Sequence, residues 1–223
     1  MHVTVIAKSP VAGHVKTRLC PPCTPAQAAA IAAAGIADTI DAIDTVPDVE
    51  QSRRVLLLEG LRQEWMPAHF DIVMQRGEGL GERLHNGFAD LGPGVITGME
   101  TPHMAHRIGE ALEAVGRGCD VLGLAEDGGY WIIGLSARTI DKLDRVFSGI
   151  PMSAADTGLL QLRRLRDLGD EVMMMPTTRD LDTIDDLRAV AASGRTGMLA
   201  ALARSTIASL PAANTVDSCR RVT

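Results

Sequence analysis

The chain has 223 residues and a formal net charge of −6, from 22 Lys and Arg against 28 Asp and Glu. With 46% hydrophobic and 22% charged residues it has ordinary globular composition, which excludes a wholly disordered chain, and its length implies one large domain or one domain with a tail. Scarce aromatics (Phe 3, Trp 2, Tyr 1) and the acidic balance exclude a general nucleic-acid binder, which needs stacking side chains on a basic surface.

No unbroken apolar run reaches the ~18 residues that spanning a bilayer requires, and the N-terminus lacks the pattern of a signal peptide. The expectation is a cytoplasmic protein without a membrane span. Cys20 and Cys23 form a C-P-P-C pair, while Cys119 and Cys219 stand alone. A structural zinc site needs a second close pair, and a thioredoxin-type pair should open a helix after a strand. The Cys20–Cys23 pair, in a Pro-rich loop, therefore reads as plain loop residues.

In chain order, the β-branched run His2–Ala7 predicts the first strand. A loop rich in Gly and Pro follows, and Thr24 then reads as an N-cap with Pro25 opening an Ala-rich helix that fades near Ile43. Strands are predicted at Arg53–Gly60 and Phe70–Gln75. The latter enters the Gly-rich loop RGEGLG, a helix over 81–91 and a fourth strand over 94–99. Helical spacing over 102–116 precedes a fifth strand over 119–125. The stretch EDGGYWIIGL then places a Gly-Gly turn before an apolar run, which predicts a strand that turns back antiparallel. Helices fit 137–145, 155–168 and 183–192, with a last strand over 171–176. From Gly194 onward one short helix and a frayed tail are expected, giving a domain over 1–193 and a C-terminal extension over 194–223. Strands alternating with helices imply a three-layer α/β/α fold around a mostly parallel, Rossmann-like sheet, whose ligands gather at the carboxyl ends of the strands.

Each unusual loop follows a strand. The first carries Lys8, Lys16 and Arg18 around Gly13, cations with a glycine that lets backbone N–H groups approach a diphosphate or triphosphate. The alternative is a solvated basic loop, and no G-K-[ST] ends it as a Walker A loop would. Gln75 stands at the end of the third strand before three glycines. Its amide can read a base edge, although such glycines also serve turn geometry alone. Glu100 ends the fourth strand, where a carboxylate can hold Mg²⁺ or Mn²⁺ against substrate phosphates or simply favour the following helix through its dipole. His103 and His106 read as surface histidines rather than ligands. Asp127, Gly128, Gly129, Tyr130 and Trp131 coincide at the fifth strand's end, where the acid would meet a metal or a substrate hydroxyl and an aromatic would wall a pocket. The other reading is a hairpin turn with core aromatics. Asp180 and Asp182 alternate on an extended segment and so share a face, whereas Asp185 and Asp186 suit a helix start capped by Thr183.

Taken in order, AKSPVAGHVKTRL, QRGEGLGERL, GMETP, LAEDGGYWIIGL, IPMSAADTG and RDLDTIDDL resemble the bacterial family of GT-A-type glycosyltransferase-like proteins of the selenodomain-associated transferase type. The match covers about residues 2–192. More distantly the chain looks like phospholactate and molybdenum-cofactor guanylyltransferases, which share the nucleotide-diphospho-sugar transferase fold. The resemblance implies that Lys8, Gly13, Lys16 and Arg18 bind nucleotide phosphates and that Gln75, Gly81 and Arg83 face base or ribose. It places Glu100 at the metal-binding acid position, with Asp180 or Asp182 as its partner, and turns Asp127, Gly128, Gly129 and Tyr130 toward the acceptor. Lys16, Arg18 and Asp127 become the catalytic candidates, and Mg²⁺ or Mn²⁺ the implied cofactor. The family carries Asp where this chain has Glu100, and the related nucleotidyltransferases carry proline where it has Ile184. The expected activity is nucleotide-dependent transfer to a small-molecule acceptor. An NDP-sugar donor comes first and an NTP releasing pyrophosphate second, with a non-catalytic nucleotide binder as the reading from another class.

Overall fold

The computed structural model describes residues 1–47, 49–169 and 171–211. Seven strands form one sheet: β1 (His2–Lys8), β2 (Arg53–Glu59), β3 (Asp71–Met74), β4 (Gly94–Gly98), β5 (Asp120–Ala125), β6 (Tyr130–Leu135) and β7 (Val172–Thr178). Their order is β3-β2-β1-β4-β6-β5-β7. All run parallel except β6, which pairs antiparallel with both β4 and β5. The reversal expected at the Gly-Gly turn is therefore present. Strand order reverses direction between β1 and β4, the point where parallel sheets open a crevice for ligands.

Alternation along the strands separates two cores. Leu56 and Leu58 of β2, Val95 of β4 and Val121 of β5 pack with α1 (Pro25–Asp44) and α3 (Ile108–Gly116) on one face. Leu57, Ile96 and Leu122 face the other way, onto α2 (Leu80–Leu91), α5 (Leu143–Val146) and α6 (Thr157–Asp167). Both faces of the sheet are covered, which is why its strands read as nearly continuous apolar runs.

The helix starts follow from local chemistry. The Thr24 side chain accepts from the Gln27 N–H while Gln27 bonds back to Thr24, and Pro25 spends no N–H at the first position. α1 is long and apolar enough to cross a bilayer by length and composition, yet 56% of its apolar window is buried inside the fold. Scattered polar residues such as Gln27 and Asp38 hide that stretch from a search for unbroken apolar runs. The helix expected over 102–116 begins as a 3₁₀ segment, Pro102–Arg107, before α3. That expected over 137–145 is two short helices, α4 (Ala137–Ile140) and α5.

A third apolar cluster lies beside the sheet. It joins Leu19 and Cys23 of the first loop, Ala28 and Ile31 of α1, Leu181, Leu187 of α7 (Ile184–Ala192), and Leu199 and Ala203 of α8 (Met198–Ser209). α8 starts on the Asp38 carboxylate, which accepts from the N–H groups of Met198 and Leu199 at 2.9 Å each. The tail expected beyond Pro211, with Cys219, falls outside the described residues.

Candidate active site

The carboxyl ends of the strands surround a cleft of about 800 Å³. Its first bank is built by β1, β2 and α2. Here Glu59, at the end of β2, is flanked by Lys8 at 3.2 Å and by the guanidinium of Arg83. Burial is the largest single influence on the Glu59 carboxyl and pushes it up, but the two cations together outweigh it and hold the carboxyl below its ordinary range. The Gln75 Nε2 donates to the carbonyls of Ala7 (2.8 Å) and Leu57 (2.9 Å), and its Oε1 accepts from Arg83 at 3.3 Å. Both amide protons are thus spent on strand ends. Glu82 caps the loop before α2, accepting from the Glu78 N–H at 3.0 Å.

The second bank is acidic. Glu100 follows β4, and Asp180 and Asp182 lie on the segment between β7 and α7. Lys16 reaches between them. Its ammonium pairs with Glu100, donates to the Leu181 carbonyl and lies 3.4 Å from Asp182 Oδ1. Arg18, 72% exposed, holds the other Asp182 oxygen at 2.5 Å. Burial raises the Glu100 carboxyl above its usual range, with Lys16 opposing the shift and Asp182 and Asp180 adding to it. Asp180 is also raised, by burial first and then by the Asp127 charge. Asp186 holds this segment in place. It accepts from the backbone N–H of Asp182 at 3.1 Å and of Thr183 at 2.6 Å, and it pairs with Arg179 at 2.5 Å. Thr183 is the expected N-cap of α7.

The third side is the β5–β6 hairpin. Asp127 Oδ1 accepts from the Gly129 N–H at 2.8 Å, which orients the carboxylate at the tip. Tyr130 lines the cleft with its hydroxyl 3.8 Å from Met152 Sδ, and burial pushes that hydroxyl well above its usual pKa. Trp131 is buried and donates to the Pro176 carbonyl at 3.0 Å, so it serves the core as well as the cleft wall.

The cleft brings together Lys8, Lys16, Arg18, Gln75 and Arg83 with Glu100, Asp127, Gly129, Tyr130, Asp180 and Asp182. It leaves three of the singled-out glycines, Gly13, Gly81 and Gly128, out of its wall. Gly13 has a φ of +81° with open space around it and serves a turn. A Cβ on Gly81 would stand 3.1 Å from the Met152 side chain, and one on Gly128 would meet the backbone of Ala155. Glu59, His14 and Thr101 went unremarked as site residues in the sequence. Glu59 reads there as an ordinary strand end, although its place between two cations is a pairing no spacing reveals. The Thr101 hydroxyl is buried without a partner among the described residues and lines the cleft. His103 turns away to bond Thr178 Oγ1 at 2.8 Å, its pKa lowered to about 4 by burial and by Arg195 and His106.

In a nucleotide site Mg²⁺ or Mn²⁺ is usually held by one or two carboxylates together with substrate phosphates and water. Among the described residues, no group of three or more His, Cys, Asp and Glu side chains is arranged to hold one. Glu100 and Asp182 close on Lys16 instead, so in the donor-free fold that pair is not open to the ion.

A protein from Desulfovibrio desulfuricans G20 described as a nucleotide-diphospho-sugar transferase is similar over 93% of this chain and 96% of its own, with a TM-score of 0.81 and 24% identity. A cytidylyltransferase from Leptospira borgpetersenii serovar Hardjo-bovis matches 93% of this chain and 92% of its own (TM-score 0.52, 13% identity). CMP:2-keto-3-deoxy-manno-octonic acid synthetase, in complex with CTP, matches 86% and 97% (TM-score 0.51, 11% identity). At these identities the likeness shows the fold, that of the nucleotide-diphospho-sugar transferases, among neighbours that are transferases and nucleotidyltransferases. No curated protein matches the chain. Residues 42–154 match the family model described as "Uncharacterized protein conserved in bacteria (DUF2064)", and the chain belongs to that family.

Proposed function

We propose that this cleft binds a nucleotide donor and that the protein is a cytoplasmic transferase, first of all one that moves a sugar from an NDP-sugar to a small hydroxylated acceptor. The observation that carries the reading is the division of the cleft: cations at the ends of β1 and α2, carboxylates at the ends of β4, β5 and β7. In this reading the exposed charges of Lys8 and Arg18 neutralise the donor diphosphate, the group whose departure most needs positive charge. Base and ribose lie over the Gln75–Arg83 side. Asp127, oriented by the Gly129 N–H, takes the proton from the acceptor hydroxyl as its oxygen bonds the anomeric carbon and the bond to NDP breaks. Positioning of donor and acceptor across one cleft supplies much of the acceleration.

A second reading is nucleotidyl transfer, in which a phosphate or related oxygen of the acceptor attacks the α-phosphorus of an NTP and pyrophosphate leaves. The cytidylyltransferase neighbours favour it through their shared fold. Incubation with panels of NDP-sugars and NTPs, scoring free NDP against pyrophosphate, separates the two. Nucleotide binding without turnover of any donor would instead support a non-catalytic binder.

A further inference from the structure

Lys16 differs from a flexible phosphate-binding lysine in three ways. Its backbone is left-handed, at φ 50° and ψ 39°, a region unfavourable for any residue with a Cβ. Its side chain is only 5% exposed, whereas that of Lys8 on the opposite bank is 52% exposed. Its ammonium has three protons and meets three acceptors: the Glu100 carboxylate, the Leu181 carbonyl and the Asp182 carboxylate. No proton is left over for a phosphate. The strained backbone aims the side chain across to a segment 166 residues away in sequence, where it parts two carboxylates that would otherwise repel.

Within the Glu100–Asp182 pair and its two cations the charges cancel, and Asp180 beside them leaves one negative charge over. Glu100 and Asp182 contribute two negative charges, and Lys16 and Arg18, which both pair with Asp182, contribute two positive ones. A divalent cation approaching this pair finds an ammonium between the oxygens it would use, and Lys16 and Arg18 offset two of the three negative charges that would draw it in. We propose that Lys16 is the resident cation of the Glu100–Asp182 pair and that, in the donor-free protein, it keeps this pair from taking up a divalent metal. The inference concerns the free protein and holds whichever donor the cleft takes.

Mn²⁺ binding to the purified, nucleotide-free protein tests it, read by the loss of the free-ion EPR signal and by thermal shift. Wild type should show no saturable site attributable to the cleft and no rise in melting temperature with Mn²⁺. Lys16→Met keeps the length of the side chain and removes its charge, which leaves two carboxylates facing each other. It should melt lower than wild type, gain one Mn²⁺ site at least about tenfold tighter than any in wild type, and recover its melting temperature on Mn²⁺ addition. Adding Glu100→Gln to Lys16→Met should abolish the gained site. Equal Mn²⁺ affinity in wild type and Lys16→Met, no site in Lys16→Met, or a site that survives Glu100→Gln would each overturn the proposal.

A wild-type measurement guards against a misfolded variant. The chain has three lysines, Lys8, Lys16 and Lys142. Limited amine acetylation followed by mass spectrometry should label Lys8 well ahead of Lys16, and millimolar Mn²⁺ should leave Lys16 protected. If Mn²⁺ brings Lys16 labelling up to that of Lys8, the metal displaces the lysine and the proposal fails.

Discussion

A Cβ on Gly128 would stand 2.0 Å from the carbonyl oxygen of Ala155. The hairpin that carries Asp127 is therefore seated directly on the backbone of the 150–156 loop, and the Gly158 N–H donates to the Gly128 carbonyl at 2.8 Å. Gly128 also has a φ of +93°. Gly128→Ala must bear both a left-handed backbone and a backbone clash, and it should destabilise the fold by at least about 2 kcal/mol. Urea unfolding of the variant checks this, and a loss below about 0.5 kcal/mol would mean that the loop yields freely.

Gln75→Leu separates two roles for one amide. If the side chain mainly ties together the ends of β1, β2 and β3, its loss leaves the Ala7 and Leu57 carbonyls short of a donor and costs about 1–3 kcal/mol of stability. Nucleotide preference should then stay as in wild type. A variant of unchanged stability that no longer tells one base from another would make Gln75 a reader of the base after all.

The exposed cations should matter to the donor far more than to the fold. Arg18 and Lys8 each make solvent-facing pairs, which contribute little to stability. Arg18→Ala and Lys8→Ala should each weaken binding of the true donor by about tenfold or more, the loss of one charge-assisted contact of about 1.5–3 kcal/mol. Melting temperatures should barely move. Calorimetric titration with the donor found in the panel assay gives the answer, and unchanged affinity in both variants would reduce these two cations to a solvated surface.

Acidification should unfold the protein through a histidine far from the cleft. His2 is buried in β1 between Thr4 Oγ1 at 2.8 Å and the Gly92 carbonyl at 3.2 Å, and burial lowers its pKa from 6.5 to about 4. The folded state thus favours the neutral ring. Above pH 6.5 neither state is protonated and the stability is whole. Between 6.5 and about 4 the unfolded chain takes up a proton that the folded one refuses, so stability falls by up to about 3 kcal/mol as pH drops. His103, lowered to about 4 as well, adds in the same direction. Chemical denaturation from pH 7 to 4.5 should show a shallower slope for His2→Gln than for wild type; equal slopes would remove His2 as a cause.

Much of the sheet was legible because its strands are buried on both faces, so each appears as a dense apolar run closed by glycine or a charge. The reversal at β6 was legible from Gly128 and Gly129 alone. The 3₁₀ entry to α3 was not, since a tightened first turn keeps the same apolar spacing as an α-helix. The break between α4 and α5 carries no Gly or Pro to mark it. In the site, the sequence indicated which loops hold charge but not which charges meet. Lys16 and Asp182 meet although β4, β6 and β5 lie between β1 and β7 in the sheet, because the first loop and the segment after β7 pack into one apolar cluster through Leu19 and Leu181. Gln75 looked available for a base because nothing in QRGEGLGERL shows that its amide is already engaged by strand ends two elements away.

The apolar cluster beside the sheet gives the C-terminal helix a reach beyond its own position. Leu19, just past Arg18, and Leu181, between the two acids, share that cluster with Leu199 and Ala203 of α8. Both charged loops therefore rest on one foundation, and α8 forms part of it. A protease that clipped the chain after Ser193 would delete no residue from the cleft wall, yet it would strip the support from beneath both loops of its acidic bank. Such a shortened protein should hold its central sheet while losing its grip on donor, so damage at the chain's end would be felt as an active-site lesion.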